Sequence, residues 1–200
     1  MQETELSSAR EAACRTLLQQ VRTIEADARD GFPGAQLLET MLAFVDRHST
    51  LFPDSDFDPP RAHGRLHPLS DRLDTPYGLY LGVTRPGKEA APHCHGVWSV
   101  NVGLAGQDLH GFWRLVEQTS STRARVEETH SVAIARGTGM VMSNIGIHST
   151  RTLDKGEARM LQLFARPLKQ CPRVVFYHPA WGTRRELPQA TGRTLGGGGG

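Results

Sequence analysis

Between Gly78 and Ala165 the chain is cut into short apolar runs bounded by Gly, Pro, Asn or Asp: Gly78 to Val83, Val97 to Leu104, His110 to Val116, Arg125 to His130, Gly139 to Met142, Ile147 to Arg151 and Arg159 to Ala165. Runs of this length and composition read as strands rather than helices. That many short strands in succession must pair or leave edges exposed, and the usual solution is a small antiparallel barrel or a double-sheet jelly roll. Val174-Val-Phe-Tyr177 offers one more strand near the end. The expectation is therefore an all-β core.

Upstream the apolar period changes. Leu17, Leu18, Val21 and Ile24 follow an i, i+1, i+4, i+7 pattern, which predicts a helix over about Ser7 to Asp30 that Gly31-Phe-Pro33 ends. Leu37, Leu38, Met41, Leu42 and Val45 predict a second helix over Ala35 to His48. The stretch from Leu51 to Pro68 carries Pro53, Pro59, Pro60 and Pro68 with little periodicity. The chain thus divides into an N-terminal α-helical extension (1–50), a proline-rich linker or wrapping segment (51–76), the barrel (77–188) and a disordered tail (189–200) that ends in five glycines. The helical face either packs on the barrel or builds a homodimer. No repeat at a solenoid period is present.

Charge excludes several roles. With 23 Lys+Arg against 21 Asp+Glu, the net +2 is too small and too evenly spread for a nucleic-acid footprint or a membrane-binding patch. Met1 to Arg10 carries Glu3, Glu5 and Arg10 without an apolar core, and no stretch approaches membrane-spanning length, so a cytoplasmic protein is expected. Cys14, Cys94 and Cys171 are odd in number and form no CxxC pair, which points to reduced thiols.

Position matters more than number for the nine histidines. In Pro86-Gly-Lys-Glu-Ala-Ala-Pro-His93-Cys-His95-Gly-Val-Trp98, strand alternation puts His93 and His95 on one face and Cys94 on the other. Two imidazoles so placed can share a metal, although an isolated H-x-H also occurs on ordinary surfaces. A third histidine follows a glycine turn in Ser143-Asn-Ile-Gly-Ile-His148. Three neutral ligands leave a divalent ion its full charge, which draws a small anionic molecule onto it, and three facial ligands leave open positions. Imidazole ligation alone leaves Fe(II), Zn, Ni, Mn and Cu open.

Gly87 lies six residues before His93 and Gly106 eleven after His95, matching G-x5-H-x-H-x3-E-x6-G except that Ser99 stands at the Glu position. With His148, 53 residues beyond His95, the pattern resembles the cupin superfamily. Within it the chain is similar to the cysteine dioxygenase and 3-mercaptopropionate dioxygenase branch, which lacks the carboxylate ligand, has a later I-G-L-H, and reads H-x-H-x-V-W-G where this chain reads His93-Cys-His95-Gly-Val-Trp98-Ser99. The resemblance covers Gly78 to Pro167. It implies a cupin double-stranded β-helix, His93, His95 and His148 as metal ligands, Fe(II), and O2-dependent oxidation of a small anionic thiol.

The likeness breaks at the relay. Those dioxygenases carry S-x-H-x-Y on a late strand, where this chain has Met160-Leu-Gln162-Leu-Phe164. Gln162 still donates and accepts hydrogen bonds, which makes it the catalytic candidate, but it transfers no proton near neutral pH, and Phe164 has no hydroxyl. Ser99 occupies the place of a cysteine that in some relatives is cross-linked to the tyrosine, so no such bond forms here. Arg72 is the nearest match to the family's carboxylate-binding arginine, and a surface role fits its spacing equally. His110 and Trp113 share a strand, on which one of them can face the cavity. Trp98 reads as core. Tyr77, His63 and His67 precede the barrel, either folded over its mouth or solvated. Ser99, Phe164, Arg72, Tyr77, His110 and Trp113 are the candidate substrate contacts. Losing the relay keeps two alternatives open: a metal-dependent lyase or isomerase on an aromatic acid, similar to hydroxylaminobenzoate lyases and independent of O2, and a non-catalytic cupin binding module.

Overall fold

A computed structural model of the chain describes residues 3–29, 31–58, 64–153, 156–171 and 173–188. His63 and the glycine-ended tail lie outside the described residues. Helix α1 (Glu3–Asp27) buries Cys14, Leu17, Leu18, Val21 and Ile24 along one stripe, and its remaining faces are charged. Gly31, at φ 103°, breaks the chain direction, and α2 (Gly34–His48) follows, burying Leu37, Met41, Phe44 and Val45. Gly34 has no room for a side chain, because a Cβ there would lie 2.7 Å from Val141 Cγ1. That close approach seats α2 against a sheet.

The strands among the described residues are β1 (Gly64–Pro68), β2 (Gly78–Thr84), β3 (Glu89–Cys94), β4 (Ser99–Ala105), β5 (Asp108–Gln118), β6 (Ala124–Ile134), β7 (Gly139–Met142), β8 (Ile147–Thr152), β9 (Ala158–Phe164), β10 (Arg173–His178) and β11 (Thr183–Pro188). Two antiparallel sheets form, in the orders β1-β2-β9-β4-β7 and β11-β10-β3-β8-β5-β6. Apart from the same-sheet hairpins β1–β2, β5–β6 and β10–β11, the chain passes from one sheet to the other at each strand, and the sheets close as the expected jelly-roll barrel, a double-stranded β-helix with the helices added outside. No helix among the described residues is long and apolar enough to cross a membrane.

The five-stranded sheet is covered on both faces, which is why β2 is buried throughout and β4 and β9 nearly so. Leu79, Leu81, Val83, Val100, Val102, Leu161 and Leu163 point outward into one core with Leu17, Val21, Leu37 and Met41 of the helices. Each such side chain contributes about 1.5–3 kcal/mol when fully buried. The alternate residues, among them Tyr80, Ser99, Asn101, Met140, Met142, Met160 and Phe164, line the barrel interior. Phe52 and Phe57, from the proline-rich stretch, join the helix core, where the Arg10 guanidinium lies 4.9 Å from the Phe57 ring centroid.

Three strands go beyond those read from the sequence. β1 and β11 are edges, where a proline or a run of charges is tolerated and no alternation is required. β3 contains Pro92 and an irregular register between Ala90 and His93, which breaks the pattern by which strands are recognised. The β5 and β6 hairpin is longer than the apolar runs suggested, because it also takes in the buried Asp108 and polar, exposed residues such as Glu117, Gln118 and Ser131.

Candidate metal centre

His93 is the penultimate residue of β3 and pairs directly with His148 of β8. Paired residues share a face, so the two imidazoles enter the barrel side by side. On its other flank His93 pairs with Phe176 of β10, whose ring stacks on it at 5.4 Å. His95 follows the strand end, and Gly96, at φ 72°, turns the chain toward β4. Cys94 points the other way, into a cluster with Ala124, Val126, Ile147 and Tyr177, as alternation requires. In the Ser143 to His148 turn, a Cβ on Gly146 would sit 2.2 Å from Met142 Sδ, so any side chain there would displace Met142.

The ring centroids of His93 lie 4.8 Å from His95 and 4.3 Å from His148, and those of His95 and His148 are 5.7 Å apart. One ligand nitrogen from each lies within 4.8 Å of the others. His93 Nδ1 is 2.8 Å from Ala91 O; a carbonyl only accepts, so Nδ1 carries the proton and Nε2 presents its lone pair. Burial, reinforced by the adjacent His95, pushes His93 down to about 3, and burial with His93 and His95 holds His148 well below the ordinary imidazole value. Convergent, neutral, partly pre-oriented imidazoles are a donor set that fits a divalent transition metal.

The remaining candidates separate. Phe164 lines the site, its ring edge-on to His95 at 5.6 Å, and pairs in register with the buried Ser99. Gln162 lies on the same face two residues deeper, beside Asn101 and Tyr80. A Cβ on Gly82 would come 2.8 Å from Gln162 Nε2, so that glycine makes room for the amide. His110 faces the interior and is 2 % exposed; burial pushes it down to about 4.

Three candidate substrate contacts lie away from the interior. Trp113 pairs with Ile147 and points away from the interior, where its indole N–H donates to Ser149 Oγ at 2.9 Å. Tyr77 is held by helix α1: its hydroxyl donates to Glu25 Oε2, and its ring packs near Trp98. Arg72 is exposed, beside the turn in which Leu73 N–H bonds Ser70 O. Trp98 is core, as read, donating from Nε1 to Glu25 Oε1 at 3.1 Å. His67 packs edge-on against Phe57, outside the centre.

Sequence reasoning missed Asp108, Asn101 and Phe112, all of which face the interior, and the methionines Met140, Met142 and Met160 that fill it. Only strand register, which no local motif encodes, could have found them.

No family model matches the chain, and no curated protein matches it. Among solved structures it is similar to an oxalate oxidase in complex with glycolate (19% identity over 58% of this chain and 56% of that one, TM-score 0.42). It is also similar to the Lactobacillus farciminis oxalate decarboxylase formate complex (15% identity, 56% and 32% covered, TM-score 0.41). A third is a cupin superfamily protein from Desulfitobacterium hafniense (12% identity, 58% and 84% covered, TM-score 0.39). The match spans less than two thirds of the length of the oxalate oxidase chain.

Proposed function

We propose that the protein is a mononuclear non-haem metal enzyme, with Fe(II) held by His93, His95 and His148, that oxidises a small anionic thiol with O2. The observation that carries this reading is an all-histidine donor set with the buried Ser99 hydroxyl where a carboxylate ligand would stand. A metal held by the three imidazoles would keep its full positive charge and would supply Lewis-acid and redox chemistry there.

The chain's own residues shape what binds there. His93, fixed by Ala91 O, resists rotation and presents one nitrogen. Phe164 gives the site an apolar wall where a tyrosine relay would have given a hydroxyl, so proton handling falls to groups elsewhere in the barrel. Ser99 and Gln162 offer neutral hydrogen bonds to the bound molecule. With Arg72 exposed, attraction of the anion rests on the metal's charge.

The Trp98 and Trp113 side chains both lie outside the interior, which favours a small substrate over an aromatic acid. The test is oxygen uptake by iron-loaded protein with cysteine, 3-mercaptopropionate and cysteamine. Uptake with at least one is expected. No uptake with any, or turnover of an aromatic acid without O2, overturns the proposal.

A further inference from the structure

One inward position deeper than the triad, both walls of the barrel are polar. On the six-stranded sheet Phe112 is level with His148 and His110 with Thr150, so His110 lies one step below His148. The two rings are nearly parallel (19°), with centroids 6.3 Å apart. Asp108, a further inward position down, brings Oδ2 to 4.0 Å from His110 Nε2. On the facing sheet Ser99 is level with Phe164 and Asn101 with Gln162, which puts Asn101 one step below the Phe164 wall.

These groups are buried, Asp108 to 1 %, His110 to 2 % and Asn101 to 4 % exposure. Among the described residues, both ring nitrogens of His110, both Asp108 oxygens, Asn101 Oδ1 and His148 Nδ1 find no hydrogen-bond partner of normal geometry. The nearby Thr152 hydroxyl donates its proton to Thr84 Oγ1 at 2.9 Å, while lying close enough to Asp108 to favour its charged form. Burial pushes the Asp108 carboxyl up, with Thr152 and Lys88 pulling the other way. Each buried polar group left unpaired costs about 1–3 kcal/mol, and native interiors rarely leave several together without a ligand or water to satisfy them.

We propose that His110, with Asp108 behind it and Asn101 on the opposite wall, is a polar subsite that hydrogen-bonds the second polar group of a small ligand whose first group occupies the metal. This rests on the reading of the triad as a metal centre, and it is independent of thiol oxidation. Asp108 gives the pair its direction: Nε2 is turned to the carboxyl, which leaves Nδ1 for the ligand. Nδ1 accepts when Nε2 carries the proton and donates when the carboxyl does. Met140, Met142, Met160 and Phe112 occupy the rest of the interior, so the ligand is compact, with its hydrogen-bonding atom only a bond or two from the metal-binding atom. The subsite supplies, from β5, the polar contact that Phe164 no longer gives from β9.

The test uses the full chain loaded with Co(II), titrated without O2 and followed by visible absorption with two probes, azide and imidazole. Each binds metal through one nitrogen and carries another, an acceptor in azide and an N–H donor in imidazole. His110→Phe is expected to weaken at least one of them about tenfold, about 1.4 kcal/mol, at unchanged Co(II) affinity. His110→Asn should recover part of the loss, and Asp108→Asn should change the ratio of the two affinities. If His110→Phe fails to fold, Asn101→Leu is read in the same way. Affinities within twofold of the unsubstituted chain for both probes, at full Co(II) occupancy, overturn the subsite. A chain that takes up no Co(II) overturns the triad and the subsite together, whereas absence of thiol oxidation with intact probe binding leaves both standing.

Discussion

Glu25, near the end of α1, accepts hydrogen bonds from both the Tyr77 hydroxyl and the Trp98 indole, and so ties the helix to the segment that leaves His95. Burial and the adjoining Glu25 push the Tyr77 hydroxyl up, so it stays a donor across the working pH range. Glu25→Ala strands two part-buried donors. Hydrogen bonds to a charged group contribute about 1.5–3 kcal/mol each, and since Glu25 is only half-buried the lower end applies, giving a loss of about 3 kcal/mol for the two. For a chain of this size that is a fall in Tm of roughly 6–12 °C. Glu25→Gln keeps an acceptor for the indole and offers its amide to the tyrosine oxygen, so about 1 kcal/mol is expected. Calorimetry on metal-free protein reads both, and a double-mutant cycle with Trp98→Phe isolates the indole contact. Trp98 is three residues from His95, so metal affinity should fall with Glu25→Ala as well. A Glu25→Ala change under about 1 kcal/mol, or Glu25→Gln as damaging as Glu25→Ala, would show that the helix is not fastened in this way.

Alanine at His93, His95 or His148 should lower metal affinity at least about 100-fold, since changes to the partners of a ligand alone cost about 10–100-fold; metal analysis of protein purified without added metal checks it, and full occupancy in all three variants refutes the triad. Gly87 and Gly106 both have positive φ, but a Cβ on Gly87 meets open space whereas one on Gly106 lies 2.4 Å from Glu157 O. Gly87→Ala should therefore cost about 1–2 kcal/mol of backbone strain and Gly106→Ala distinctly more, read from urea midpoints. His110, held down to about 4 by burial, binds a proton in the unfolded chain near pH 6.5 before it does in the folded one. Its contribution to stability is present above pH 6.5 and lost as pH falls toward 4, by up to about 3 kcal/mol, with Asp108 opposing it. Urea unfolding of metal-free protein from pH 7.5 to 4.5 should show a shallower pH dependence in His110→Phe than in the unsubstituted chain.

The central strands of the five-stranded sheet were legible because burial on both faces writes itself as nearly continuous apolar sequence, as in Leu79 to Val83 and in Met160 to Phe164, which only Gln162 interrupts. The triad was legible because two ligands are local and the third follows a glycine turn. Two of the four edge strands were not, since Gly64–Pro68 and Thr183–Pro188 answer to solvent and need no pattern. Alternation offered either His110 or Trp113 to the cavity, and only register with His148 decides for His110. Tyr77 looked like a pocket aromatic because the sequence does not say that an acidic residue 52 positions upstream will claim it. Asp108 and Asn101 are ordinary polar residues in strands until the two sheets are laid face to face.

The position of β9 between β2 and β4 bears on how the molecule assembles. Its outward leucines complete the bed for α1 and α2, the earliest elements in chain order, and its inward side carries Gln162 and Phe164. The helices have no finished surface to dock on until a strand well over a hundred residues later has threaded between two others. Closure of such distant pairs is slow and leaves apolar surface uncovered while it waits. The substitutions that would most favour aggregation during refolding are therefore expected in β9, at Leu161 and Leu163, rather than at the three histidines that line the barrel.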